Sequence, residues 1–417
     1  MSKHLYSLDE AAKMLSVSKE TLRRWDKNGK LKSTRLPNNY RVYTPETLKS
    51  YTGGAGIFDM EVMDEHHYSP IKPYKTIELF AGAGGLALGL EKAGLECELL
   101  NEVNKWACKT LKRNRPNWRI EEGDIANIDF SSFKGQIDII SGGFPCQAFS
   151  YAGKKLGFED TRGTLFYEFS RAVKEVQPKI FIAENVRGLV SHDKGRTLKT
   201  MVDVMETLNY KVLAPKVLKA IHYQVPQKRE RLFLIGIRKD LNIHYQYPKP
   251  SDEILVLADA LRAGKLYPTD VPESPGQKYP ESKKKIMELI PPGGYWRDLP
   301  EALQKDYMKK SFYLGGGKTG MARRIAWDEP CLTLTTSPAQ KQTERCHPEE
   351  TRPFTTREYA RIQTFPDDWV FEGSMSEIYR QIGNAVPVNL AYAVAKEAVR
   401  ALNLYTIEQE IIERFAS

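Results

Sequence analysis

The stretch KTIELFAGAGGLALGL, residues 75–90, decides the fold. Its first part is a short run of strand-forming residues. Glycines then stand at 82, 84 and 85, and an apolar helical pattern follows. A strand that ends in a glycine-rich turn and opens a helix lets backbone approach a ligand closely, and the helix N-terminus favours negative charge. Outward from this stretch, ECELLN, IDIIS, KIFIAEN and RLFLIGI are further short apolar runs. Between them LALGLEKAG, NKWACKTLKRN and TLFYEFSRAVKEV have helical period. Such alternation predicts an α/β fold with a doubly wound, mostly parallel sheet. Ligands bind these sheets at the C-terminal ends of the strands.

Chemistry-bearing residues fall at those ends. Glu102 closes the second strand, in the position of an acidic residue that holds a ribose hydroxyl pair. Asp124, in GDI, is a partner for an adenine amino group or a plain turn residue. The glycine loop alone is shared by dinucleotide dehydrogenases and S-adenosylmethionine enzymes. GGFPCQAFS, residues 142–150, presents Cys146 on a stiff turn, and Glu184 in KIFIAENVRG ends another strand, so thiol and carboxyl converge on one pocket. No histidine lies in these loops, which argues against ester hydrolysis. The pair suits addition to an electron-poor ring whose nitrogen must be protonated. Cytosine is such a ring: thiolate addition at C6 makes C5 nucleophilic toward a sulfonium methyl donor. A protonated glutamate at N3 would stabilise the adduct and calls for a raised pKa.

Bulk properties agree with a soluble chain that meets a polyanion. The 417 residues allow two or three domains, and the formal charge is +9. Residues 1–51 hold eleven Lys/Arg against five Asp/Glu. Five cysteines without a CxxC pair, and few scattered histidines, speak against a disulfide framework or a metal site. No apolar run is long enough to span a membrane and the N-terminus is no signal peptide, so a cytoplasmic location is expected.

Ser7 to Glu10 has capping-box spacing for a first short helix, and Ser18 caps a second that Gly29 ends. LKSTRL and YRVYT around Pro37-Asn38-Asn39 form a hairpin signal. Residues 1–51 thus read as a winged helix-turn-helix and resemble MerR- or excisionase-like modules. That resemblance puts Lys19, Thr21, Arg23 and Arg24 on a recognition helix and Arg35 and Arg41 on the wing, against DNA. A basic protein-binding module is the other reading. Residues 52–73 read as a linker, 74–245 as the catalytic domain, 246–350 as an irregular second region rich in proline, and 351–417 as the part that completes the catalytic domain.

The ordered motifs resemble the DNA (cytosine-5) methyltransferase family over residues 75 to about 240 and 352 to about 402. They are ELFAGAGG, FPCQ, ENV, GTLFYEF, VPQKRERLFLIG, RPFTTREYARIQTFPDDW and GNAVP. The resemblance implies the S-adenosylmethionine-dependent methyltransferase fold, with S-adenosyl-L-methionine as cofactor and double-stranded DNA as partner. Catalytic roles fall to Cys146, Glu184, Arg229 and Arg231. Cofactor contacts fall to Phe80, Ala81, Gly82, Gly84, Gly85, Glu102, Val103, Asp124, Ile125, Pro145, Leu165 and Asn384, and no metal is implied. Val103 departs from the aromatic that many members carry there, which weakens adenine contact. Phe144, Gln147, Ser150 and Gln227 fall to the extruded cytosine and its strand. Arg323, Arg324, Lys341 and Arg345 fall to DNA in the target-recognition region. Arg229 and Arg231 read alternatively as a basic strand edge.

The expected activity is site-specific methylation of duplex DNA by a monomer that flips its target cytosine, as the protective partner of a restriction enzyme. The N-terminal module is expected to regulate transcription at a second operator site. A tRNA cytosine-5 methyltransferase, a protein that is chiefly a transcriptional regulator, and a nicotinamide oxidoreductase are the competing readings.

Overall fold

The computed structural model describes residues 5–14, 18–36, 40–44, 47–48, 68–145, 164–315 and 317–416. Cys146, Gln147 and Ser150 therefore lie outside the described residues, as does most of the expected linker. The chain divides into two compact units: residues 1–71, 242–246 and 399–417 form one, and residues 72–241 and 247–398 the other.

The first unit carries the N-terminal module. Strand β1 (Tyr6–Ser7) leads into α1 (Leu8–Met14), followed by α2 (Lys19–Lys27), β2 (Thr34–Arg35) and β3 (Arg41–Tyr43). The strands form an antiparallel sheet in the order β1-β3-β2. Ser7 and Glu10 make the expected reciprocal cap, each taking the other's backbone amide. Ser18 accepts the Thr21 amide at 3.1 Å, and Gly29 takes φ +70° just after α2. Ala11, Ala12, Leu22, Leu31, Tyr43 and Leu48 make a small core of its own. Arg41 Nε reaches Asp26 at 2.8 Å and so ties the hairpin to α2.

The second unit is built on a sheet of eight strands. In chain order it holds β4 (Lys75–Leu79), α3 (Gly85–Lys92), β5 (Glu96–Glu102), α4 (Lys105–Asn114), β6 (Ile120–Glu122), β7 (Ile139–Gly142), α5 (Leu165–Val176), β8 (Ile180–Val186) and α6 (Arg196–Thr207). Then come β9 (Tyr210–Val212), β10 (Lys216–Lys219), β11 (Gln227–Lys228) and β12 (Glu230–Arg238). The sheet order is β10-β12-β8-β7-β4-β5-β6, with β9 also pairing to β12. β6, β5, β4, β7 and β8 run parallel, and β12 returns antiparallel to β8. Because β5 and β7 lie on opposite sides of β4, strand order reverses there, and the crevice of a doubly wound sheet opens at that point. Helix starts are set locally: Asn104 Oδ1 accepts two amides of α4, and Thr164 Oγ1 accepts the Tyr167 amide of α5.

Beyond the sheet lie α7 (Leu257–Leu261), α8 (Glu281–Glu288), α9 (Glu301–Met308), β13 (Cys331–Leu332), α10 (Thr356–Ile362), α11 (Met375–Asn384) and α12 (Val388–Ala416). A core of Met287, Ile290, Trp296, Leu299, Met308, Met321 and Cys346 belongs to the irregular region itself. Its flanks do not: Leu257, Leu261, Ile325 and Leu334 pack with Leu88, Leu100, Tyr359 and Ile382 of the sheet-bearing part. No described helix is long and apolar enough to cross a membrane.

Candidate active site

A cavity of about 550 Å³ opens at the C-terminal ends of β4, β5, β6, β7 and β8. Its walls contain Phe80, Ala81, Gly82, Gly85, Glu102, Val103, Asp124, Ile125, Phe144, Pro145, Leu165, Glu184, Arg231 and Asn384. All fourteen of these positions, Leu165 of α5 included, were expected from sequence and meet around one space.

One side of the cavity brings carboxylates together with the glycine loop. Glu102 accepts the Gly82 amide on Oε2 and the Asn104 amide on Oε1, both at 2.7 Å, so its carboxylate is held fixed at the end of β5. Asp124 Oδ1 accepts the Ala126 amide at 3.0 Å, so it lines the cavity and caps a turn at once. Phe80 sits at φ +58°, strained for a residue with a Cβ, and turns the chain into the glycine loop. Gly85 has no room for a side chain, because a Cβ would stand 2.3 Å from the Val386 carbonyl oxygen. Gly84, at φ +86°, precedes α3 and does not itself line the cavity. Val103 is 71% exposed at the rim.

Glu78, at the end of β4, is fully buried, lines the same cavity, and has no partner for Oε2. Burial drives its carboxyl well above the ordinary range, against the pull of the Ala87 amide, and Glu102 adds to the rise. An orphaned buried carboxyl oxygen beside Glu102 and Asp124, over an open glycine loop, fits S-adenosylmethionine, whose sulfonium and ammonium are both cationic.

The other side holds Glu184 and Arg231. Glu184 Oε1 takes Arg231 Nε at 2.8 Å, and both side chains are almost wholly buried. Register explains the meeting: Arg231 lies opposite Val186, two residues from Glu184, on the same face of the β8–β12 pair. Burial raises the Glu184 carboxyl above its ordinary value, and the charges of Arg231 and Arg229 work against that rise. Asn185, buried, donates from Nδ2 to the Phe144 carbonyl at 2.8 Å. Phe144 packs edge-on to Phe80 and against Phe166 and Phe169. The chain on either side of Phe144 is therefore fixed up to Pro145, directly before Cys146. The other cysteines are packed thiols: burial pushes Cys108 and Cys331 up to about 12.

Several expected contacts are corrected. Arg229 does not line the cavity; it is 1% exposed and gives its guanidinium to the carbonyls of Leu334, Gly383 and Ala385. Gln227 is buried as well, bonded to Gln363 and to the Leu334 amide rather than turned outward to a nucleic acid. Arg323, Arg324 and Arg345 are buried too. Arg323 grips Glu329 at 2.5 Å, Arg324 donates to the carbonyls of Ile290 and Met287 at 2.7 Å, and Arg345 donates to Thr333 at 2.8 Å. The physical reason is shared: irregular chain leaves carbonyls without ladder partners, and a guanidinium has five donors to satisfy them. Lys341 likewise bonds the Tyr307 carbonyl. Arg23 and Arg24 remain exposed on α2, with Arg23 beside Glu20 at 3.1 Å.

Sequence reasoning missed Glu78, Asn101, Asn185 and Arg380. Asn101 is buried and bridges the carbonyls of Glu121 and Gly123 at 3.0 Å, which sets the loop that carries Asp124. The usable signal was a polar residue inside an apolar strand at Glu78, Asn101 and Asn185. Arg380, which lines the cavity from α11, carried no such signal.

A family described as C-5 cytosine-specific DNA methylase matches residues 74–400, and one described as MerR family regulatory protein matches residues 7–43. The chain is 62% identical over 406 residues to an Escherichia coli protein named Type II methyltransferase M.Eco47II, with 97% of each chain covered. It is 58% identical over 401 residues to one from Psychrobacter sp. (strain TA137) named Type II methyltransferase M.PspPI, covering 95% of this chain and 96% of the other. The fold is shared with a Spodoptera frugiperda DNMT2 crystal structure at a TM-score of 0.53 and 18% identity, over 78% of this chain and 99% of that one.

Proposed function

From the premise that the chain belongs to the C-5 cytosine-specific DNA methylase family and is a DNA (cytosine-5-)-methyltransferase, we propose that it is the modification enzyme of a Type II restriction-modification system. Its substrate is a cytosine extruded from duplex DNA, since a ring inside the stack is beyond reach of a thiol on a loop. The observation that carries this reading is the buried Glu184–Arg231 pair, which shares one cavity with Glu102 and with the Gly143–Pro145 turn that leads to Cys146.

In the proposed reaction the Cys146 thiolate adds its electron pair to cytosine C6. The C5–C6 double bond breaks, and the displaced density is taken up toward N3, where Glu184 supplies its proton. Arg231 holds the Glu184 carboxyl in place through Nε. S-adenosylmethionine, when bound, supplies the methyl group for C5. Glu102 would hold its ribose hydroxyls, Asp124 its adenine amino group, and Gly82 to Gly85 its methionine end, with Glu78 facing the positive charge. Return of the N3 proton to the Glu184 carboxylate, loss of the C5 proton to water and expulsion of the Cys146 thiolate restore the aromatic ring and free the enzyme. Aromatic packing of Phe144 against Phe166 and Phe169 anchors the chain that leads to Cys146.

The N-terminal module, with its helix-turn-helix and hairpin, is proposed to bind a second DNA site and repress the enzyme's own operon. Arg23 and Arg24 present their charge on α2 for that purpose. The match of residues 7–43 to a regulatory family supports this part.

The decisive experiment is transfer of labelled methyl from S-adenosylmethionine to duplex DNA by wild type and Cys146→Ser, with base-resolution mapping. Label at C5 of cytosine in one short sequence, absent in the variant, is the expected result. Label on tRNA alone, or full activity in Cys146→Ser, would overturn it. Deleting residues 1–51 should leave methylation intact and abolish repression; unaltered promoter output would remove the regulatory part.

A further inference from the structure

A buried polar hub lies behind the cavity, where three chain segments meet around Gln363. Gln227 Oε1 accepts the Leu334 amide at 2.9 Å, and its Nε2 donates to Gln363 Oε1 at 2.9 Å. Gln363 Nε2 donates in turn to the carbonyl of Ile382 at 2.7 Å. Arg229 closes the circuit, giving Nη1 to Leu334 O at 3.0 Å and Nη2 to Gly383 O and Ala385 O at 2.8 and 2.9 Å. Backbone contact runs parallel to these bonds: a Cβ on Gly383 would stand 2.3 Å from the Thr335 carbonyl oxygen.

The three segments have different duties. Residues 383–386 include Asn384, Ala385 and Val386 of the cavity wall. Residues 333–335 lie within the irregular region, where Arg345 holds the Thr333 carbonyl. Residues 227–231 run from β11 into the start of β12, where Arg231 meets Glu184. A guanidinium with no carboxylate partner and an unbonded Nε is an expensive thing to bury. Its five donors suit a job that an apolar side chain cannot do: holding carbonyls from two segments at fixed spacing.

We propose that Arg229, with Gln227 and Gln363, is a positioning hub that couples the cofactor wall to the recognition region, so that cofactor and duplex DNA bind cooperatively. The proposal rests on the methyltransferase reading above. Displacement of residues 383–386 by the cofactor shifts the carbonyls that Arg229 holds, and Leu334, bonded at both its amide and its carbonyl, moves with them. Arg231, two residues further along the chain and on β12, receives the same shift. Coupling of this type is reciprocal and amounts to a factor of about 5–150 in affinity.

Two measurements on the full-length protein test it. The dissociation constant of S-adenosylhomocysteine is measured with and without duplex DNA carrying the target site. Wild type should bind more tightly with DNA by a factor within the range above, and Arg229→Lys and Gln363→Leu should each bring that factor toward one. Arg229→Lys keeps the charge but cannot span two segments, and Gln363→Leu keeps the volume. In the second measurement, needing no variant, S-adenosylhomocysteine alone should slow hydrogen exchange at the Leu334 amide, which is outside the cavity wall. Unchanged exchange there, no coupling in wild type, or full coupling in a folded variant overturns the hub. If wild type fails to methylate any duplex, it is the underlying reading that falls; if it methylates and the coupling survives substitution, only the hub does.

Discussion

Glu184 Oε2 stands 2.7 Å from the place a Cβ on Gly143 would occupy, so the end of β8 and the turn before Cys146 touch with no space between them. Gly143→Ala must move either the carboxyl or the turn by a few tenths of an ångström or more. Both belong to the proposed reacting constellation, and misplacement on the scale of 1 Å costs about 10²-fold in rate. The variant should therefore lose kcat by a factor of that order and keep its affinity for S-adenosylhomocysteine, which depends on the far side of the cavity. Methyl transfer under single-turnover conditions reads the first quantity and calorimetry the second. A wild-type rate would show that the two groups do not need their present spacing.

Burial raises the Glu184 carboxyl, and Arg231 is the largest influence against the rise. The reaction proposed above needs the protonated form, so the rate should fall as pH increases through this raised pKa. Arg231→Met removes the cation that favours the carboxylate and should shift that alkaline limb to higher pH, whatever it does to the maximum rate. Stability follows the same sign. A carboxyl raised on folding contributes stability that is fully present below its unfolded pKa, about 4.3, and lost as pH climbs through the folded value. Glu184→Gln cannot lose it, so its Tm should gain on wild type as pH rises; a constant difference would show that Glu184 is not raised.

The legible part of this fold was the part where local chemistry and global position coincide. Lys75 to Leu90 could be read because apolar run, glycine turn and helix each have their own periodicity, and the predicted strand and helix occur at Lys75–Leu79 and Gly85–Lys92. Glu102 and Glu184 were legible as polar residues at strand ends. Arg229 and Arg231 were not separable, although two residues apart, because what decides between them is distant chain. The carbonyls of Leu334, Gly383 and Ala385 claim one, and the Glu184 carboxylate claims the other. Arg323, Arg324 and Arg345 misled for a related reason. A charged residue in irregular sequence is ordinarily solvated, and only the folded structure reveals which carbonyls lack a partner.

Val103 invites a gain of function. It is 71% exposed beside Glu102, and it lines the cavity together with Ile125. An aromatic ring there would cover apolar surface of a bound adenine that Val103 leaves in water, worth about 0.5–1.5 kcal/mol beyond area burial for a ring pair. Val103→Trp should bind S-adenosylhomocysteine roughly two- to twelvefold more tightly, by the same energies. Its kcat should be equal or lower, since product release becomes slower. Titration calorimetry checks the first statement; unchanged or weaker binding would mean that the adenine does not pass under residue 103.

The last prediction concerns the helix that holds the glycine loop in place. Gly89 lies on α3, one turn beyond Gly85, and a Cβ there would meet Ala391 Cβ at 2.3 Å and the Tyr392 amide nitrogen at 2.6 Å, both on α12. Two helices can approach this closely only where one presents bare backbone. Gly89→Ala must push α3 and α12 apart, and overpacking of this kind costs about 1–3 kcal/mol, more than the advantage of about 1 kcal/mol that alanine has over glycine in a helix. Gly188→Ala is the control, since a Cβ there meets nothing within 4 Å and its φ is unexceptional. Urea unfolding should show a lower midpoint for Gly89→Ala and none of that loss for Gly188→Ala. Because α3 begins at the glycine loop, the first variant should also weaken S-adenosylhomocysteine binding, in proportion to how far the loop follows its helix. Lost stability with unaltered cofactor affinity would place the give in α12 instead, and no loss of stability at all would mean that the two helices are not packed through Gly89.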